Sequence, residues 1–191
     1  LAYMLKLAPA SMGFMASDGL HHAQVTEADD NQFMVTVQLN NTSVPMQRND
    51  MMLLNTGSPH LVVFDNSLTE SQDILGKGRA LRHHPDFGPG GVNVNFVAVK
   101  GNDSIFVRTY ERGVENETLS CGTGVTASAI ATWVRYGGSH ENCFSVETPG
   151  GSLRVSFTPP QKGDALFSNI WLSGPAKWIY KGSIPDGDVN T

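Results

Sequence analysis

The residues best suited to chemistry lie between positions 110 and 138, where the polar run Glu111-Arg112-Gly113-Val114-Glu115-Asn116-Glu117-Thr118 leads into Cys121-Gly122-Thr123-Gly124. Apolar residues then recur at Val125, Ala127, Ala129, Ile130, Ala131, Trp133 and Val134, and the run closes on Gly137-Gly138. This pattern predicts a helix that starts at Cys121 and ends at the glycine pair. A cysteine in that position meets unpaired N–H groups and the positive end of the helix dipole, which favour a thiolate and also cradle a substrate anion. The two glycines leave the backbone open to a ligand. A free cysteine is also commonly just a small apolar residue at a buried helix start. Glu111 and Arg112 supply the charged surroundings that an activated nucleophile or proton carrier needs. Such charge pairs are equally often only a solvated face.

A second polar cluster, Asn55-Thr56-Gly57-Ser58-Pro59-His60, separates the apolar runs 51–54 and 61–64 and reads as strand, polar loop, strand. His60 has the chemistry of a general base or an orienting group, or is simply hydrogen-bonded structure. Residues 92–99 alternate so that Asn93 and Asn95 share one face. Asparagine is a poor strand former, so this pair either lines a polar pocket or lies on a solvated surface. Residues 104–110 alternate again and deliver Glu111 and Arg112 at a strand end.

The elements around these groups follow from patterning. The helix after Cys121 is apolar around much of its circumference and must be enclosed. Antiparallel strands wrapped around it form the natural solution, an α+β fold. Residues 14–39 predict a meander, with strands at 14–16, 20–26 and 33–39 and turns at Asp18-Gly19 and 29–32. Residues 1–7 read as the end of a helix stopped by Pro9, so that the chain enters in mid-element. Residues 40–50 form a crossover, and 73–84 a short helix bearing Lys77, Arg79 and Arg82, with no evident chemistry. Further strands are expected at 144–147, 150–157, 170–172 and 178–180, before a frayed tail at 185–188.

With 191 residues and 40% hydrophobic content, the chain can bury a core in one domain or two small ones. The net charge is -5 and the 13 Lys and Arg are scattered, which argues against a nucleic-acid partner. No apolar run reaches the ~20 residues that span a bilayer. The two cysteines, Cys121 and Cys143, have no zinc-type spacing and fit a reducing, cytoplasmic compartment, with Cys143 in the core at a strand edge.

Taken together, residues 55–60, residues 91–96, Glu111-Arg112-Gly113, Glu117-Thr118 and Cys121-Gly122-Thr123-Gly124 resemble, in order and approximate spacing, the second half of diaminopimelate epimerase. The Asp18-Gly19 meander and a strand at Pro175-Ala176-Lys177 extend the resemblance over nearly the whole chain. Proline racemases and phenazine-biosynthesis-type isomerases share that fold, but the pairing of Glu-Arg-Gly with Cys-Gly-Thr-Gly is closer to the epimerase.

The resemblance implies an isomerase of lysine and peptidoglycan precursor synthesis that inverts the α-carbon of diaminopimelate. It uses two cysteines on opposite faces of the substrate, and neither pyridoxal phosphate nor a metal, so no cofactor is expected. By the same resemblance Cys121 is one of the pair, and the N–H groups of Gly122 and Thr123 hold the α-carboxylate. Glu111 engages the α-ammonium, Arg112 and Asn93 clamp the distal carboxylate, and His60 orients or assists the other cysteine. Ser58 stands where many members carry Asn, which shortens or removes its contact with the distal carboxylate, and the interval from Glu111 to Cys121 is one residue longer than in some members.

The family's other cysteine, in a Cys-Gly-Asn-Gly motif, has no counterpart in these residues. The expected organisation is a remnant of a first lobe at 1–45, a complete second lobe at 46–175, and a return strand to the first lobe with a tail at 176–191. Such a chain is expected to be inactive alone, and its exposed remnant leaves a homodimer open. Two other readings stand beside this one: a proline-racemase-like enzyme, disfavoured by a second carboxylate clamp, and a non-catalytic carboxylate-binding or assembly module in which Cys121 is structural.

Overall fold

Residues 51–54, 61–64, 94–99 and 105–110 alternate between two apolar faces, and the computed structural model, which describes residues 1–27, 32–137 and 142–183, turns that alternation into a sheet with a core on each side. In chain order the strands are β1 (Ser11–Ala16), β2 (Gly19–Glu27), β3 (Gln32–Leu39), β4 (Thr42–Ser43), β5 (Met46–Arg48), β6 (Met51–Asn55) and β7 (Pro59–Phe64). Helix α1 (Leu75–Arg82) precedes β8 (Asn93–Gly101), β9 (Ser104–Glu111) and β10 (Asn116–Thr118). Helix α2 (Gly122–Tyr136) precedes β11 (Cys143–Thr148), β12 (Gly151–Thr158) and β13 (Leu166–Lys177). The sheet runs in the order β1-β2-β3-β13-β12-β11-β9-β8-β7-β6-β5, with β10 added to β9 and β4 to β13.

Most neighbours are antiparallel, as expected, but β7 and β8 run parallel, and so do β9 and β11. Parallel neighbours need a long crossover, and the two crossovers carry α1 and α2. On one face Val62, Val97, Val107, Phe144, Val155 and Ile170 close around Val125, Ala129 and Ile130 of α2. Trp133, Phe157 and Phe167 pack edge to face, with ring centroids 5.3 to 6.5 Å apart. On the other face Leu61, Val94, Phe96 and Tyr110 form the second core, under Leu68 and Ile74. There α1 can lie close because Gly78 faces the Tyr110 ring, where an added Cβ would come within 2.7 Å.

The expected elements are mostly present, and the departures have local causes. Residues 1–7 are turns rather than a regular helix, yet Leu7 N–H donates to Ala2 O, Lys6 N–H to Tyr3 O, and Lys6 has φ 57°. That is the hydrogen-bond pattern with which helices close, and Lys6, not Pro9, makes the stop. The crossover at 40–50 contains β4 and β5, and the helix expected at 73–84 is confined to α1, with Asp73 accepting from Leu75 N–H at 2.9 Å. Residues 178–180 are not a strand, since β13 ends at Lys177 opposite Gln32, where β3 begins. Cys143 is half-buried beside Arg154 rather than in the core, because alternation gives the inward position to Phe144. The expected turn at 29–32 falls mainly, and Gly138 and the tail at 185–188 wholly, outside the described residues. Among the described residues no helix is long and apolar enough to cross a membrane.

Candidate active site

Cys121 is the N-cap of α2, with extended backbone (φ -125°, ψ 110°) and no side chain capping the helix. The first intrahelical bond runs from Val125 N–H to Cys121 O, so the N–H groups of Gly122, Thr123 and Gly124 have no partner within the helix. These groups and the helix dipole make a positive cradle beside the sulfur. Gly122 lies close to β13, where a Cβ would sit 2.8 Å from a Leu172 terminal methyl and push that side chain aside.

The hairpin from β6 to β7 leans against this turn. Thr42 O–H donates to Asn55 O at 2.5 Å, and Thr56 O–H to Thr123 O at 2.8 Å, tying the crossover, the loop and the helix start together. Gly57 turns the loop with φ 113°. His60 lies on β7 rather than in the loop and is fully buried. Asn95 Nδ2 is 3.0 Å from His60 Nδ1, and Thr109 O–H donates to Asn95 Oδ1 at 3.0 Å. On the other side of the ring, Nε2 is 2.9 Å from Thr123 Oγ1 and 3.0 Å from Ser58 Oγ. Thr123 Oγ1 is in turn 3.5 Å from Cys121 Sγ. Burial, and then the nearby charge of Arg112, push the His60 pKa down to about 3, so the ring is neutral.

Asn93 is also buried and joins the two halves of the site. Its amide donates to Ser58 Oγ at 3.1 Å and Pro59 O at 3.0 Å, while its Oδ1 accepts Arg112 N–H at 2.9 Å. Both amide hydrogens are therefore committed to the protein. The Ser58 hydroxyl is turned inward, toward His60 and Asn93. Glu111 ends β9 half-buried, its carboxylate accepting Thr118 O–H at 2.8 Å.

The turn that carries Glu111 and Arg112 is latched from behind. Glu115 (φ 57°) donates its N–H to Glu111 O at 2.8 Å, and its carboxylate receives Arg82 at 3.0 Å, His83 at 3.2 Å and Gly113 N–H at 3.1 Å. The Gly113 N–H and the Arg82 charge hold the Glu115 carboxyl below its usual range. Tyr110 O–H donates to Glu115 O at 2.9 Å. Sequence reasoning missed Glu115, and it left Asn95 between pocket and solvent. A left-handed backbone at a glutamate has no sequence signal, and nothing in the strand pattern shows that Asn95 sits opposite Gly124.

The structure thus brings Cys121, Gly122, Thr123, His60, Ser58, Asn93, Glu111 and Arg112 to one end of α2. Cys143 is not among them: it follows α2, near Trp133 and Asn142 at the far end of a 15-residue helix that is about 22 Å long. Among the described residues no group of acidic, His or Cys side chains is arranged to hold a metal.

A thiol at an open helix end, enclosed by a curved mixed sheet, places the molecule in a recognisable class. Its fold matches that of a probable proline racemase from Agrobacterium radiobacter, with a TM-score of 0.67 and 15% identity over 98% of this chain and 66% of that one. It also matches a hydroxyproline epimerase from Agrobacterium vitis, with a TM-score of 0.66 and 17% identity over 92% of this chain and 60% of that one. Within that fold the sequence is more specific, since residues 52–178 match the diaminopimelate epimerase family. The chain is 40% identical over 171 residues to a diaminopimelate epimerase of Flavobacterium psychrophilum, an alignment covering 90% of this chain and 63% of that protein. It is 38% identical over 132 residues to one of Chlorobaculum tepidum, covering 69% of this chain and 48% of that protein. The chain belongs to the diaminopimelate epimerase family. It spans about half to two thirds of the length of these relatives.

Proposed function

We propose that this chain supplies one side of a cofactor-independent epimerase site, in which Cys121 carries the α-proton of diaminopimelate to or from one face, converting the LL form to the meso form. The observation that carries this reading is the sulfur at an uncapped helix start, linked through Thr123, Ser58 and Asn93 to the turn that bears Glu111 and Arg112. In the proposed pose the N–H groups of Gly122 and Thr123 receive the α-carboxylate and stabilise charge that builds on it when the α-carbon loses its proton. Glu111 takes the α-ammonium. The Arg112 guanidinium binds the distal carboxylate, a planar anion that matches its fork. Asn93 acts mainly by holding Arg112 and the Ser58 loop in place, because its amide is already engaged. His60 acts through its hydrogen bonds and not as a base, since both ring nitrogens are engaged by Asn95, Thr123 and Ser58 and burial makes the ring hard to protonate.

Inversion needs a second acid–base group on the opposite face of the α-carbon. Of the two cysteines in the sequence, Cys143 is at the far end of α2, which leaves Cys121 as the thiol of this site. We propose that in the working enzyme a further thiol faces Cys121, with the division at 1–45, 46–175 and 176–191 separating a first lobe, a second lobe and a return segment.

The test is incubation of the purified chain with LL-diaminopimelate in deuterium oxide. The expected result is α-deuteration without the meso product, abolished by Cys121→Ser, together with protection of Cys121 from iodoacetamide by diaminopimelate. Formation of the meso isomer by this chain would overturn the one-sided reading. Absence of any protection would overturn the substrate.

A further inference from the structure

We infer that Asn95 and Thr109, two buried strand residues with no path to substrate, are positioning residues that direct the Thr123 hydroxyl hydrogen onto the Cys121 sulfur. The argument is one of donors and acceptors. Leu61 O can only accept, which fixes the Asn95 amide so that its nitrogen faces Leu61 O and His60 Nδ1 while its oxygen accepts Thr109 O–H. Asn95 Nδ2 also donates to Leu61 O at 3.4 Å, so the orientation satisfies every atom of a fully buried group. Because Nδ1 accepts from this amide and the ring is neutral, the single ring hydrogen resides on Nε2. That hydrogen points at the Thr123 and Ser58 hydroxyl oxygens.

With its oxygen accepting from His60, Thr123 has its own hydrogen to give. Ser58 Oγ is also 3.5 Å from Thr123 Oγ1, but it already receives Asn93 Nδ2 and faces the His60 Nε2 hydrogen at 3.0 Å, so Cys121 Sγ, 3.5 Å away, is the acceptor left to Thr123. The relay therefore runs Thr109 to Asn95 to His60 to Thr123 to sulfur, each group donating to the next. A donor aimed at sulfur favours the thiolate over the thiol and sets the side-chain rotamer. Charged and titratable groups on the surrounding elements are His60 on β7, Glu111 and Arg112 at the end of β9, and Glu117 on β10, the last paired with Arg108 at 2.6 Å. Of these only His60 belongs to the relay, and as a neutral ring it carries direction rather than charge. Gly124 makes it possible, since any Cβ there would collide with the Asn95 amide oxygen.

This inference rests on Cys121 being the acid–base thiol only for its consequence; its tests need no substrate. In a Cys143→Ser background, long-range 1H–15N spectra should show His60 protonated at Nε2 and bare at Nδ1 between about pH 5 and 8; the opposite tautomer overturns the relay. Thr123→Val should slow iodoacetamide alkylation of Cys121 at neutral pH by about 5- to 10-fold and move its pH profile upward, the size expected for one hydrogen bond, and Thr123→Ser should restore both. Asn95→Leu should slow alkylation similarly, and the double variant with Thr123→Val no further, because both act through one hydroxyl. Where Asn95→Leu does not fold, Thr109→Val releases the same amide and carries the same test. Unchanged alkylation in Thr123→Val, or additive effects in the double variant, overturns the proposal. Failure of the deuterium experiment with these results intact would instead remove the substrate and leave the relay standing.

Discussion

At the scale of single residues, Gly124 and His60 show how little freedom the site has. Gly124→Ala would otherwise favour a helix, but its methyl group meets the Asn95 amide oxygen and the His60 ring. We expect it to cost about 1–3 kcal/mol by overpacking, read as a lower urea midpoint with an unchanged slope. His60 gives a pH signature. Its folded pKa, about 3, lies below the unfolded value of 6.5, so between these limits the unfolded chain binds a proton that the folded chain refuses. Stability from this group is complete above pH 6.5 and declines as pH falls toward 3, at about 1.4 kcal/mol per pH unit. His60→Gln keeps an amide donor for Thr123 but removes the titration. Urea unfolding from pH 4 to 6 should therefore show a shallower dependence for the variant by one proton; parallel slopes would contradict the burial argument.

At the scale of elements, two contacts that tie neighbouring segments carry predictions. The Glu115 latch joins α1 to the turn between β9 and β10, and so fixes Arg112 without touching Cys121. Glu115→Gln should raise the diaminopimelate concentration that half-protects Cys121, by about 3- to 10-fold, while leaving alkylation without ligand unchanged. In the meander, His21 is buried between Gln38 O at 2.8 Å and Asp18 at 2.9 Å, both acceptors. The Gln38 carbonyl first, and the Asp18 carboxylate second, raise its pKa above the usual value. A raised folded pKa means stability that is whole below pH 6.5 and lost as pH rises through the folded value. Thermal unfolding from pH 6 to 9 should show the advantage of wild type over His21→Gln shrinking with pH, and a constant advantage would sink this reading.

These elements also show what could be read from sequence. Helix α2 was legible because polar loop, small residues, apolar run and glycine stop agree at every level. The meander was legible from alternation and the Asp18-Gly19 turn. Cys121, Glu111 and Arg112 were singled out because each lies at or next to an element end, where the local pattern changes. The parallel pairings and the position of Asn95 opposite Gly124 were not legible, since both depend on which strands become neighbours. The strand expected at 178–180 failed for the same reason: its residues suit a strand but, past Lys177, have no described partner.

At the scale of the molecule, both apolar cores are built almost wholly from residues 51–170, and the β1–β3 meander adds to them chiefly through Leu39. The meander's attachment is instead β13, which pairs with β12 along one edge and with β3 and β4 along the other. Leu39 meets Ile170, and Gln32 meets Lys177. The strand that must hold the meander therefore follows every other strand of the sheet in chain order. On a ribosome β1, β2 and β3 emerge before β13 with the β3 edge unpaired, and the closure of so long a loop is an entropically costly step. Until β13 arrives, that edge is open to any other extended chain, so growing polypeptides depend on speed or on a chaperone to reach their own β13 before meeting a stranger's strand.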